Sequence, residues 1–137
     1  MGVRTRICIL MAAVAVVGQS AVSAEPERIV SVVYGLTSLG SQDDAQYAFS
    51  RARSVARTLD DGGVSSRTYS DKDLSKALSP PYKLAHLVYL ESPSAAQLKA
   101  IGKFVTSGGK VIVHYSTSEA FAKLMGMTPP EPTESGP

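Results

Sequence analysis

The sequence predicts an α/β fold of three layers, in which helices cover both faces of a four-stranded parallel sheet with strand order 2-1-3-4. Two observations predict this class. Short apolar runs alternate with longer segments whose apolar residues recur every three or four positions, as in buried strands and amphipathic helices. The stretch 85–126 also runs strand, helix, glycine pair, strand and helix without a break, and such a strand–helix–strand unit is a right-handed parallel connection.

The first strand is the apolar run 28–34, and a loop rich in glycine and hydroxyl residues, 35–41, follows it. Ser41 and Asp44 have the spacing of a capping box, so a helix begins after Ser41. The turn residues 60–63, Asp-Asp-Gly-Gly, end that helix.

The middle of the chain is more polar. Residues 64–69 predict a strand at the edge of the sheet, because a central strand would be apolar on both faces. Ser70 or Asp71 caps a short helix, which Pro80-Pro81 stops.

The run HLVYL at 86–90 is the third strand, since it is too short for a helix. Ser94 then caps a helix with one apolar face, and Gly108-Gly109 supplies the left-handed turn that ends it. Residues 110–115 form the fourth strand. This strand is predicted to be buried on both faces, with Ile112 in the core.

A last short helix closes the folded domain, residues 25–126. Ser116 or Thr117 caps it, and Gly126 ends it. The remaining residues, 127–137, contain four prolines and predict a linker or tail.

Residues 1–24 have the three parts of a secretory signal: a basic start with Arg4 and Arg6, an apolar run, and small residues before the cleavage position. The apolar run is too short to span a membrane. The mature chain is therefore expected to be secreted or periplasmic, with no membrane association after cleavage. Without Arg4 and Arg6, 12 basic residues balance 12 acidic ones, and the one cysteine, Cys8, is removed as well.

The charge balance and the spacing of the polar residues argue against several classes of function. Binding to nucleic acid needs clustered Lys and Arg, and the mature chain has no such cluster. His86 and His114 lie in separate predicted strands without the ligand spacing of a metal site. Acidic pairs such as Asp71 and Asp73 fall at helix ends, where capping and turn formation explain them. No metal and no cofactor are predicted.

The phrase QLKAIGKFVTSGGKVIVHY, followed by a helix ending in LMG, resembles the class I glutamine amidotransferase-like superfamily. The likeness is to its non-catalytic branch, found beside catalytic modules in secreted glycoside-hydrolase-like proteins. The resemblance implies a flavodoxin-like fold. In the amidotransferases a cysteine nucleophile follows the strand that matches 110–114, whereas this sequence has Tyr115 or, at most, Ser116 there. A phenol does not replace a thiolate in acyl transfer, so the resemblance implies a domain that lacks the catalytic cysteine and is not catalytic on its own.

Any ligand is expected at the carboxyl edge of the sheet, because open α/β sheets bind ligands outside the carboxyl ends of their strands. No catalytic residue is predicted. The possible ligand-binding residues at that edge are Gly35, Thr37, Ser38, Glu91, Ser92, Tyr115 and Ser116.

Three functions follow from these observations. The first is a secreted, non-catalytic accessory or interaction domain, related to the N-terminal module of a larger carbohydrate-processing protein, whose partner is another domain or protein of that system. The second is a flavin-binding electron carrier, because VVYGLTSLGS is similar to the phosphate loop of flavodoxins. The third is a small hydrolase that uses Ser116 or Glu91.

Overall fold

The structure is a computed structural model that describes residues 29–128. The predicted signal, 1–24, and residues 129–137 of the predicted tail lie outside the described residues. Among residues 29–128, no helix combines the length and the apolar character that a membrane crossing requires.

Four parallel strands form one sheet of order β2-β1-β3-β4, which confirms the predicted fold class and strand order. The chain is consistent with a flavodoxin-like fold. A 3₁₀ turn, Asp71–Asp73, precedes α2. The elements in chain order are β1 (Val30–Tyr34), α1 (Gln42–Asp61), β2 (Ser66–Ser70), α2 (Leu74–Ala77), β3 (Leu84–Val88), α3 (Ala95–Thr106), β4 (Lys110–His114) and α4 (Glu119–Leu124).

The helix starts follow local hydrogen bonding. Ser41 caps α1 by accepting from the amide of Asp44, and Ser94 forms a reciprocal capping box with Gln97 at the start of α3. The predicted caps of α4 are wrong by one or two residues. Ser118 caps that helix, because its hydroxyl accepts a hydrogen bond from the amide of Phe121.

One face of the sheet carries the larger core. The short helix α2 and the helices α3 and α4 pack on this face, where alternate strand residues point. Phe121 and Ile101 fill the space between the helices and the sheet, and both are almost fully buried. The buried members of this core are Val33, Leu74, Ala77, Ala85, Leu87, Leu90, Ile101, Phe104 and Phe121.

The opposite face is covered by α1, which packs on β1 and β2 and to a smaller extent on β3. Its buried cluster is small and consists of Val32, Ala52 and Val88. The part of β4 on this face lies beyond the helix, so 43% of the Ile112 side chain is exposed. The prediction that Ile112 lies in a strand buried on both faces is therefore wrong. On the helix-free face of this edge strand, Lys110 and Ile112 are exposed and His114 is half-buried.

Candidate functional site

Asp71 directly follows β2 and binds the β1–α1 loop at the carboxyl edge of the sheet. The amide of Thr37 donates to both carboxylate oxygens of Asp71, Oδ1 at 3.0 Å and Oδ2 at 2.9 Å, and the amide of Ser38 donates to Oδ2 at 2.9 Å. Only 2% of Asp71 is exposed. The sequence predicts that Ser70 or Asp71 caps the short helix. Ser70 is the N-cap residue of the 3₁₀ turn, but α2 itself begins after Asp73, and Asp71 binds the β1–α1 loop instead.

The loop amides determine the charge of this carboxylate. Burial opposes ionisation, but hydrogen bonds from the amides of Thr37, Ser38 and Leu36 outweigh burial and lower the pKa of Asp71. The folded chain thus places its own anion where the phosphate of a flavodoxin-like ligand would bind. The amides of Thr37 and Ser38 already have a partner.

Two further predicted residues hold this edge together through the backbone. The amide of Ser92 donates to the Ser38 carbonyl at 3.2 Å, and the amide of Gly35 donates to the Val88 carbonyl at 3.0 Å. A Cβ at Gly35 would overlap the Tyr89 carbonyl oxygen, so this position needs glycine for close packing. Gly35, Thr37, Ser38 and Ser92 are thus brought together, and their role as ligand contacts stays a prediction.

The other predicted residues lie further along the edge. Glu91 is half-buried at the end of the third strand region. Ser116 donates from Oγ to the Leu90 carbonyl at 2.8 Å and accepts from the Ser118 amide at 3.3 Å. Through these two hydrogen bonds, the Ser116 hydroxyl stabilises the turn after β4. No hydrogen bond among residues 29–128 joins Ser116 to a histidine or a carboxylate.

Two tyrosines mark a second region of the same edge. Tyr89 follows β3 with φ of 56°, and Tyr115 follows β4 with φ of 86°. Both angles lie in the left-handed region, which residues other than glycine rarely adopt and which is concentrated at functional sites. The left-handed turn at Tyr89 also explains why β3 ends at Val88, two residues before the predicted end.

The side chains of these tyrosines are in contact. The rings of Tyr89 and Tyr115 have centroids 4.9 Å apart, and Tyr47 from α1 meets Tyr89 edge-on at 5.3 Å. Arg51 donates to the Tyr47 hydroxyl at 2.8 Å. Interactions with the Tyr89 hydroxyl and with Arg51 lower the pKa of Tyr47. Tyr47 and Tyr115 remain 45% and 53% exposed, so they present aromatic surface to solvent.

The two histidines form a pair on the same face of the sheet. Nδ1 of His86 and Nε2 of His114 are 2.7 Å apart, and the rings are inclined by 22°. Burial lowers the pKa of both imidazoles, and the neighbouring His114 lowers that of His86 further. The pair is therefore held in its neutral form, in which one ring donates the shared hydrogen bond and the other accepts it.

A cleft of about 470 Å³ lies between α1 and the β3–β4 half of the sheet. We call it the tyrosine–histidine cleft. Its size lies within the range of about 300–1,000 Å³ that is usual for small-molecule sites. Its lining residues are Arg51, Ser54, Val55, Thr58, Leu59, His86, Val88, Tyr89 and His114.

Sequence reasoning missed this cleft. His86 and His114 were interpreted as separate strand residues, and Tyr89 as part of a strand. One signal was available: Tyr89 and Tyr115 each end a strand of the carboxyl-terminal strand–helix–strand unit, so both reach the same edge of the sheet. The pairing of the histidines depends on strand register, with His86 opposite Ile112 and Val88 opposite His114.

The fold and its edge define a small α/β domain with parallel strands. A chain of known structure with a similar fold is the β-galactosidase from Bifidobacterium adolescentis, at a TM-score of 0.53 and 21% sequence identity. The similarity covers 66% of this chain and 40% of the galactosidase chain, so this chain corresponds to less than half of that protein. No family model and no curated protein sequence matches the chain. The glutamine amidotransferase-like assignment thus stays a prediction, and the solved structure shows the shared fold alone.

Proposed function

We propose that this chain is a secreted, non-catalytic accessory or interaction domain of a carbohydrate-processing system, related to the N-terminal module of a glycoside-hydrolase-like protein. The observation that carries the proposal is the turn after β4. Tyr115 occupies the left-handed position, and the next hydroxyl, that of Ser116, donates to the Leu90 carbonyl. A serine nucleophile needs a base within hydrogen-bond distance, and Ser116 has a backbone partner instead.

The arrangement at β1 supports this proposal over the flavin-binding alternative. A flavin phosphate would need the amides of the β1–α1 loop, and the Asp71 carboxylate holds two of them. A phosphate at the same place would meet a buried negative charge. We therefore expect flavin mononucleotide to bind weakly or not at all.

Hydrolase activity tests the proposal directly. The purified chain is assayed on chromogenic glycosides, esters and glutamine, together with its Ser116→Ala and Tyr115→Phe variants. We expect no turnover above background for any of the three proteins. The matched control is Thr117→Ala, which removes an exposed hydroxyl one residue away. Turnover that disappears in Ser116→Ala, but not in Thr117→Ala, with unchanged melting temperatures, would show that the chain is an enzyme.

Export is a separate part of the proposal. The basic start, the apolar run and the small residues before position 25 support cleavage there. We expect N-terminal sequencing of the exported protein to begin at Glu25. A secreted or membrane-bound product that begins at Met1 would contradict it.

A further inference from the structure

We propose that the tyrosine–histidine cleft binds a sugar ring that bears a carboxylate, such as a hexuronic acid, with Arg51 as the carboxylate partner. This inference deepens the accessory role proposed above, and it rests on that role for the choice of a sugar. The cleft itself follows from the geometry of α1, β3 and β4.

The charges in the cleft favour an anionic ligand. Among the described residues that line the cleft, Arg51 is the only charged one, and none is a carboxylate. Arg51 is exposed and donates from Nη2 to the Tyr47 hydroxyl, and within residues 29–128 its other N–H groups have no hydrogen-bond acceptor. A guanidinium fork pairs best with a planar group that carries two oxygens, and a carboxylate is such a group.

The apolar parts of the cleft favour a ring over an extended chain. Val55 and Leu59 are half-buried apolar residues of its lining, whereas Val88 is almost fully buried. The exposed rings of Tyr47 and Tyr115 flank Tyr89 beside the cleft. Aromatic side chains of this kind offer a flat apolar surface with a polar hydroxyl at the tip. The C–H face of a sugar ring matches that combination.

The polar parts favour hydroxyl groups on several sides of the ligand. In the neutral histidine pair, one of the two outer nitrogens carries a proton and the other does not. The two histidines that line the cleft therefore have one donor and one acceptor nitrogen besides the shared bond. Ser54 and Thr58 donate to helix carbonyls, so their oxygens can still accept hydrogen bonds. A purely apolar ring would leave these groups unpaired.

Titration with glucuronate tests the inference in the intact chain. The chain contains no tryptophan, so its emission comes from six tyrosines, of which Tyr89 lines the cleft. The Tyr89→Phe variant shows which part of a change in emission comes from the cleft. We expect saturable binding of glucuronate, weaker binding of its methyl ester, and little binding of glucose or acetate. Comparing these four ligands separates the contribution of the carboxylate to the affinity from that of the sugar ring.

Variants assign the contact to the cleft. Arg51→Gln should weaken glucuronate binding about tenfold, which corresponds to one lost charge-assisted contact. Tyr115→Ala should also weaken binding, because it removes exposed aromatic surface. Arg57→Gln is the matched control: it removes an arginine from the exposed side of the same helix and should leave the affinity unchanged. Melting temperatures of all variants check that each is folded.

Several outcomes overturn the inference. These are equal affinity for glucuronate and glucose, equal affinity of the Arg51→Gln and Arg57→Gln variants, or no saturable binding of glucuronate at all. None of these outcomes contradicts the accessory role. That role would be contradicted by hydrolase turnover that depends on Ser116, which is a separate measurement.

Discussion

The two halves of the carboxyl edge of the sheet differ in what lies beside the strand ends. At the β1–α1 loop, the backbone amides are bound by Asp71, a carboxylate from the chain itself. At β3 and β4, the strands end in left-handed tyrosines beside an open cleft that holds an arginine and a histidine pair. The comparison divides the edge into two regions. Internal contacts occupy the loop amides in the first region, and an open cleft lies beside the second.

Among changes at the carboxyl edge, removal of the Asp71 carboxylate should have the largest effect. We expect Asp71→Ala to lower the free energy of unfolding by about 2–4 kcal/mol, since it leaves loop amides without a charged partner. Asp71→Asn, which keeps the shape and one acceptor, should cost less. Urea denaturation of the three proteins measures the difference. Added acetate should restore part of the stability of Asp71→Ala and have no such effect on the wild type. Equal stability of all three proteins would show that the edge is not held closed by Asp71.

The same carboxylate predicts an acid dependence. Its folded pKa is lowered, so the folded state binds fewer protons than the unfolded state, whose Asp pKa is about 3.9. The stabilisation is complete above that value and is lost as the pH falls through it toward the folded pKa. Denaturation curves between pH 6 and pH 3 should therefore be steeper in pH for the wild type than for Asp71→Asn. Parallel curves would contradict this assignment.

Gly35→Ala tests the close packing between the two halves. A methyl group there would overlap the Tyr89 carbonyl, so the β1 and β3 ends must separate. We expect a loss of about 1–3 kcal/mol, the usual cost of overpacking. Gly40→Ala is the control, since a Cβ at that position meets no atom within 4 Å. Thermal melting of both variants distinguishes them, and equal melting temperatures would refute the packing argument.

A smaller effect is expected from the histidine pair. His86 and His114 are the only histidines of the chain, so the double variant His86→Phe/His114→Phe removes all imidazole titration. The lowered pKa of each ring means that the unfolded state binds more protons near pH 6.5. Wild-type stability should therefore fall as the pH drops from 7.5 to 5.5, while the double variant stays flat. Arg51 and Tyr89, which line the same cleft, are present in both the wild type and the double variant, so the difference in pH dependence reports on the histidines.

The smallest effect is expected at the open face of β4. Because Ile112 is 43% exposed, Ile112→Asp should change stability by about 0.5 kcal/mol. The buried counterpart is Leu87 on β3, where Leu87→Ala should cost about 2–5 kcal/mol. Chemical denaturation of both variants compares the two faces. A loss of several kcal/mol for Ile112→Asp would mean that this face is covered in the folded protein.

Local patterns predicted the fold because each element carries its own signals. Ser41 and Ser94 cap the helices that follow them, and three apolar runs with one more polar run predict the four strands. Ile112 was misplaced because an apolar alternation does not reveal whether a helix covers both faces. The predicted strand order already placed the fourth strand at an edge of the sheet. For the exposure of Ile112, that position matters more than the apolar composition of the strand.

The candidate site was less accessible to sequence reasoning because its contacts join distant residues. Asp71 reaches the amide of Thr37 across 34 positions, and His86 meets His114 across 28. Helix capping explained Asp71 from its neighbours in sequence, so its contact with the distant Thr37 amide was not predicted. The register of two parallel strands sets the histidine contact, and register depends on packing throughout the sheet.

The exposed edge of β4 has a consequence for handling the protein. Within residues 29–128, no strand pairs with the outer side of β4, whose N–H and C=O groups therefore face solvent. The strand, KVIVH, is β-branched and carries one lysine, at its first position. We expect a strand edge with so little charge to pair with further strands at high concentration, which would produce a continuous sheet of many copies. Replacing Val111 or Val113 would damage the core, so a solubilising lysine belongs at position 112.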